Sequence, residues 1–123
     1  MWQHVYLGKY VSKGYYPVPD DHIPYDRAAC PVERTLTLIS GKWRPMVLFR
    51  LDQGPIRFNV LARSLAPVSP RVLAETLRGL EADGLVWRQS AGTVPPEVSY
   101  GLTSRGKALG PVWDAMARWH QAQ

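Results

Sequence analysis

The segment SPRVLAETLRGLEADG, residues 69–84, is the most informative part of the sequence for the fold, because it contains the start, both faces and the end of one helix. Ser69 is a good N-cap, Pro70 suits the first helical position, and Asp83-Gly84 ends the helix. At about 100° per residue, one face is apolar and predicted to be buried: Val72, Leu73, Thr76, Leu77 and Leu80. The opposite face carries the small and charged residues Arg71, Ala74, Glu75, Arg78 and Ala82.

The flanking sequence predicts further short elements around this helix. Upstream lie helices over residues 31–40 and 45–51, an extended segment at 56–58, and a short helix that Asn59 caps. Downstream lie two β-segments, residues 85–89 and 98–102, and a last helix that Thr103 caps. We therefore predict a mainly α fold with a small β-hairpin (α+β), the order of a winged helix-turn-helix. In such folds the second helix of the motif enters the major groove of DNA.

The charge of the chain is concentrated in one segment. Fifteen Lys and Arg stand against ten Asp and Glu, a net charge of +5. The window from Lys42 to Arg78 holds seven basic and two acidic residues, and this excess equals that of the whole chain. A localised basic excess favours an anionic partner, nucleic acid first. A solvated basic surface is the alternative.

Several function classes lack any supporting pattern. No apolar run is long enough for a bilayer, and the first ten residues lack a signal-peptide pattern, so we expect a cytoplasmic protein without membrane contact. One cysteine and three scattered histidines predict no metal site. Neither a carboxylate pair, a Ser-His-Asp grouping nor a glycine-rich phosphate loop is visible, so we expect neither an enzyme nor a cofactor.

Composition divides the chain near residue 30. Residues 1–29 form an aromatic-rich N-terminal arm that contains Trp2, Tyr6, Tyr10, Tyr15, Tyr16 and Tyr25. Residues 30–123 form the predicted DNA-binding domain, and its last helix is the predicted dimerisation element.

Seven landmarks between residues 30 and 120 occur in a familiar order: Cys30-Pro31-Val32-Glu33, Gly41-Lys42-Trp43, Gly54-Pro55-Ile56-Arg57-Phe58, Ser69-Pro70-Arg71-Val72-Leu73, Leu80-Glu81-Ala82-Asp83-Gly84-Leu85-Val86, Val94-Pro95-Pro96 and Tyr100-Gly101-Leu102-Thr103. In these landmarks the chain resembles the HxlR-type winged helix-turn-helix transcriptional regulators. The resemblance implies a homodimer, built from the first and last helices, that binds double-stranded DNA. It also implies that Ser69 to Ala82 is the recognition helix and that Ser90 to Glu97 is the wing.

Candidate DNA contacts follow from exposure and charge. Arg71 would reach a base edge, Arg78 a base or a phosphate, and Ser69 a phosphate besides its role as a cap. Ala74 and Glu75 share their face. The remaining candidates are basic: Lys42, Arg44, Arg57 and Arg63, which would contact phosphates, and Arg88 beside the wing. The alternative is a solvated face on which Glu75 merely pairs with an arginine.

The last helix carries more apolar surface than the end of a small monomer needs. We predict a dimer interface made by Leu36 of the first helix and by Leu109, Val112, Trp113, Met116 and Trp119. The alternative is that packing within one chain hides one of the two tryptophans.

Cys30 is a candidate thiol sensor. The start of a helix favours a thiolate, and the resemblance implies sensing of electrophiles or oxidants by a cysteine at this position. The alternative is a small buried residue.

Together these features predict a homodimeric transcriptional regulator, by its commoner design a repressor, that recognises an inverted-repeat operator. The alternative is a winged-helix protein-interaction module that does not bind DNA.

Overall fold

The computed structural model of this chain describes residues 30–123. The chain divides into two units, and the boundary lies after Ile39. Of the first unit, the described part is Cys30 and helix α1, Pro31–Ile39. The predicted arm, residues 1–29, lies outside the described residues, so the division at residue 30 stays a prediction.

The second unit combines helices with a small sheet. Its elements in chain order are α2 (Arg44–Leu51), β1 (Ile56–Arg57), α3 (Phe58–Ser64), α4 (Pro70–Ala82), β2 (Val86–Ser90), β3 (Val98–Leu102), α5 (Ser104–Lys107) and α6 (Gly110–Gln121). This order confirms the predicted winged helix-turn-helix, with α3 and α4 as the two helices of the motif and β2–β3 as the hairpin. No helix of residues 30–123 is both long and apolar enough to span a bilayer.

The three strands form one antiparallel sheet in the order β1-β3-β2. In this register Trp87 faces Gly101 across the β2–β3 pair. The Trp87 indole lies directly over the Gly101 backbone, where it occupies the space that a Cβ would need. A glycine is therefore required at this central position of the sheet.

Helix α4 lies at the centre of the second unit. It packs against β2 and α2, while α3 packs against β1. Leu73, Leu77 and Leu80 of α4 are fully buried. The rest of the fully buried set is likewise aliphatic and comes from α2, α3 and the start of the hairpin: Val47, Leu48, Leu51, Leu61, Leu85 and Val86. This core holds α4 in place by its apolar face.

Three details of the prediction need correction. The bounds of α4 are confirmed, but its buried stripe is narrower than expected, because Val72 is 38% exposed and Thr76 is half-buried. Helix α3 begins one residue early, at Phe58, so Arg57 is its N-cap and Asn59 lies inside the helix.

The last helix is also interrupted. Thr103 does cap a helix, but only the short α5, where its hydroxyl accepts a hydrogen bond from the Gly106 N–H at 3.1 Å. A new helix, α6, follows at Gly110. Pro111 explains the break, because proline lacks the amide proton that a continuous helix would need and instead suits a first turn.

Candidate nucleic-acid interface

The start of α4 is built as predicted. The Ser69 hydroxyl accepts a hydrogen bond from the Val72 N–H at 3.1 Å, and Pro70 follows the cap. Yet the charges run against the helix dipole: Arg71 lies in the first turn, which has no acidic residue, and the last turn has no basic one. A helix dipole favours the reverse order. Arg71 therefore adds to the positive potential that the dipole already creates at the start of α4. A positive potential at a helix start favours the binding of an anion.

Arg71 is the most prominent side chain of this face. Its side chain is 87% exposed, and its Nε donates a hydrogen bond to Glu75 Oε1 at 3.2 Å. Glu75 is itself half exposed, at 51%. Arg78 is exposed one further turn along the same face, and Ala74, half-buried, lies between the two arginines. The structure thus brings together five predicted contacts on one helix and its N-cap: Ser69, Arg71, Ala74, Glu75 and Arg78.

Four of the predicted basic contacts are exposed on other elements. Lys42 lies in the segment before α2, with its Nζ 5.4 Å from the centre of the Trp43 ring. Arg57, Arg63 and Arg88 are exposed on β1, α3 and β2. Of these, Arg57 is paired with Glu97 at 3.5 Å. All four keep enough exposure to meet a phosphate.

Arg44, unlike the other basic candidates, is both held in an ion pair and mostly buried. Its Nη1 donates to Asp83 Oδ2 at 2.7 Å, and its side chain is only 23% exposed. Arg105 also donates to the backbone carbonyl of Asp83. Arg44 therefore links the start of α2 to the end of α4, and this pairing argues against a phosphate contact.

The same ion pair explains Gly79, which the sequence reasoning did not single out. A Cβ at Gly79 would lie 2.6 Å from Arg44 Nη2. Glycine costs about 1 kcal/mol relative to alanine inside a helix. Here the missing side chain of Gly79 leaves room for the Arg44 guanidinium to lie against α4. A glycine in the middle of an amphipathic helix was the signal in the sequence that something lies close to it.

The wing differs from α4 in exposure and in charge. Its residues 90–97 are all exposed, and Val94 at the tip is 98% exposed. The loop is ordered by its own hydrogen bonds: Ala91 N–H donates to the Glu97 carbonyl at 2.8 Å, and Thr93 Oγ1 donates to the Pro95 carbonyl at 3.0 Å. Its single charged residue is Glu97. Any attraction to phosphate near the wing must come from Arg88 or Arg57.

The predicted interface residues are not equally available for a partner. Trp113 is 5% exposed, which agrees with the alternative that one tryptophan is hidden within the chain. Trp119, Met116 and Leu36 are exposed by 67%, 48% and 41%, whereas Leu109 and Val112 are half-buried.

Two further apolar side chains are exposed on α2, although three others of the same helix are fully buried. They are Met46, 48% exposed, and Phe49, 53% exposed. This exposure could not be predicted from the sequence, because α2 is apolar on most sides.

Cys30 lies directly before α1, as predicted, and its carbonyl accepts a hydrogen bond from Arg34 N–H at 3.0 Å. The residue is buried, with 6% exposure. In residues 30–123 no group of His, Cys, Asp or Glu is arranged to hold a metal ion.

Known proteins match this arrangement of helices and hairpin. Residues 38–123 match the HxlR-like helix-turn-helix family. An uncharacterised HTH-type transcriptional regulator of Methanothermobacter thermautotrophicus is 39% identical over 86% of this chain and 81% of its own length.

Two solved structures are similar as well. The redox regulator HypR in its reduced form is 40% identical, with a TM-score of 0.71, over 75% of this chain and 91% of its own. Diamide-treated YodB of B. subtilis is 33% identical, with a TM-score of 0.63, over 76% of this chain and 93% of its own.

Proposed function

Since the chain belongs to the HxlR-like helix-turn-helix family of transcriptional regulators, we propose that it is a homodimeric repressor that binds an inverted-repeat operator. Each protomer would place α4 in a major groove, and the two copies would lie roughly 34 Å apart, one turn of duplex. A bound dimer would then block access to the promoter.

The exposed face of α4 carries this proposal. Its cap and its three buried leucines fix the helix, and its charges strengthen the positive potential at its start instead of balancing it. Arg71 would donate to a base edge, bidentate to guanine where the operator offers one. Arg78 would reach a base or a phosphate, while Lys42, Arg57, Arg63 and Arg88 would supply sequence-independent contacts.

A DNA titration tests the proposal. The operator is obtained by selecting duplexes from a randomised pool with the full chain, and its affinity is compared with that of an unrelated duplex at several salt concentrations. We expect a steep salt dependence and a preference for a palindrome. Absence of duplex binding at low salt would overturn the proposal and favour a protein-interaction module. The uncharged tip of the wing is consistent with such a module.

The dimer is the second element of the proposal. The exposed Met116 and Trp119 on α6 support it, because a monomer would leave this apolar surface in water. Sedimentation at micromolar concentration should give twice the mass of the chain, and Trp119→Glu should shift the protein toward the monomer. A monomer for the unchanged chain would contradict the dimer.

A thiol response through Cys30 is the third element. The similarity to HypR, named a redox regulator, and to YodB, solved after diamide treatment, supports it. The burial of Cys30 means that an oxidant would need a local opening before α1 to reach the sulfur. Oxidation would add bulk there and change the spacing of the two recognition helices.

Operator affinity before and after diamide, with Cys30→Ser as the control, tests this response. Release of the unchanged chain but not of the serine variant supports sensing. Equal affinity in all four measurements makes Cys30 a buried structural residue.

A further inference from the structure

We propose that Glu75 is a positioning residue that sets the operator specificity of Arg71. This inference rests on the proposed DNA binding and concerns how the face of α4 separates its operator from other DNA. The observation behind it is the hydrogen bond from Arg71 Nε to Glu75 Oε1, 3.2 Å long, at the start of the recognition helix.

The geometry of that bond determines what Arg71 can still bind. A guanidinium has five N–H donors, one on Nε and four on the two Nη atoms. With Nε held by Glu75, the two Nη groups remain as a fork for a guanine O6 and N7. Glu75 thereby favours one direction for a long side chain that is 87% exposed and would otherwise sample many.

The pair is a poor device for stabilising the helix. Of the two orders at this spacing, the one with the acidic residue first is favoured, and here Arg71 precedes Glu75. Pairs this exposed contribute little to stability in water. Helix stability therefore does not explain the pairing.

The Glu75 carboxylate should also lower the affinity for DNA that lacks the operator. By holding Nε, Glu75 keeps the Arg71 guanidinium from turning to a phosphate of the DNA backbone. Specific binding can offset this cost through the base contact, whereas nonspecific binding cannot. Glu75 should accordingly weaken nonspecific binding more than operator binding.

The test compares Glu75→Gln with Glu81→Gln. Glu81 lies near the other end of the same helix and is also exposed, so its substitution removes the same charge without affecting Arg71. Both variants are titrated with the duplex selected by the unchanged chain and with an unrelated duplex of equal length. Because glutamine and glutamate have similar helix propensity, both variants should fold.

For Glu75→Gln we expect the ratio of operator to nonspecific affinity to fall by about tenfold, mainly because nonspecific affinity rises. The nonspecific salt slope should steepen by about 0.9, the value for one more phosphate contact by the released Arg71. Glu81→Gln should leave the ratio and both slopes nearly unchanged. When Arg71 is already alanine, Glu75→Gln should behave like Glu81→Gln.

Three outcomes would overturn the inference. One is an equal response of the two glutamine variants, which would make Glu75 a general surface charge. Another is a persistent effect of Glu75→Gln in the Arg71→Ala background. The third is a loss of discrimination at a single C·G pair, which would mean that Glu75 itself reads a cytosine. Failure to select any duplex would instead overturn the proposed function, and this inference with it.

Discussion

Helix α4 and the wing are the two parts of the second unit that are expected to meet DNA, and they are built in opposite ways. In α4, three fully buried leucines hold one face, so the backbone position of each residue on the other face is fixed. The wing is held by hydrogen bonds within its own loop, and all its residues are exposed. The helix carries arginines; the wing tip carries valine and proline. A surface that reads sequence needs a rigid support behind it, and only α4 has one.

The largest effect should come from breaking this support. Leu77→Ala removes a fully buried side chain from the centre of α4, and the cavity should destabilise the fold by about 2–5 kcal/mol. Val94→Ala, in the wing, should change the free energy of unfolding by less than about 0.5 kcal/mol. Urea denaturation of both variants measures the difference. Similar values would mean that the wing is part of the folding unit to the same degree as α4.

The next largest effect concerns DNA binding by α4. Arg71→Ala should leave folding nearly intact, because the side chain is 87% exposed. It should weaken operator binding by about 1–3 kcal/mol while sparing much of the nonspecific binding. Titration with operator and unrelated duplexes measures both. An equal loss on both duplexes would mean that Arg71 binds phosphate and reads no base.

A third effect concerns the ion pair between Arg44 and Asp83 at the end of α4. Gly79→Ala should gain helix propensity, but the new methyl would displace the Arg44 guanidinium from Asp83, so we expect no net stabilisation. In an Arg44→Ala background the same change should stabilise the fold by about 1 kcal/mol. Chemical denaturation of the four proteins gives the coupling. Equal effects in both backgrounds would show that Arg44 does not constrain Gly79.

The ends of α4 could be predicted because residues next to each end mark where the helix starts and stops. Ser69 and Pro70 mark the start, Asp83-Gly84 marks the end, and helical spacing assigns Leu73 to the buried face. Val72 was misplaced for a geometric reason: it lies at the edge of the apolar arc, and the neighbouring elements do not extend far enough to cover it. A projection gives the direction of a side chain but not the width of what packs against it.

Contacts between distant residues were beyond a local reading. Arg44 and Asp83 are 39 residues apart, and the sequence around either residue does not indicate that the other is its partner. The same holds for Trp87 and Gly101, whose partnership depends on the strand register. For the site, the helix face could be predicted from spacing and charge. The separate role of Arg44 could not, because an arginine beside a basic segment has the same pattern whether it binds phosphate or an aspartate.

The smallest effect concerns the wing alone. Val94 is 98% exposed at the tip, so a long polar side chain fits there without strain in the core. In a winged helix the hairpin reaches over the DNA backbone. Val94→Lys should therefore place a new cation near a phosphate, strengthen operator and unrelated duplexes alike, and steepen both salt slopes by about 0.9.

Val94→Gln is the matched control, because it lengthens the side chain without a charge and should leave the slopes where they were. Since the added lysine reads no base, the ratio of operator to nonspecific affinity should stay constant, which separates its effect from that of Arg71→Ala. If the lysine and glutamine variants have the same slopes, the tip of the wing does not approach the duplex. Recognition would then depend on α4 and the basic residues around it, and the contrast between the two regions would extend from their construction to their contact with DNA.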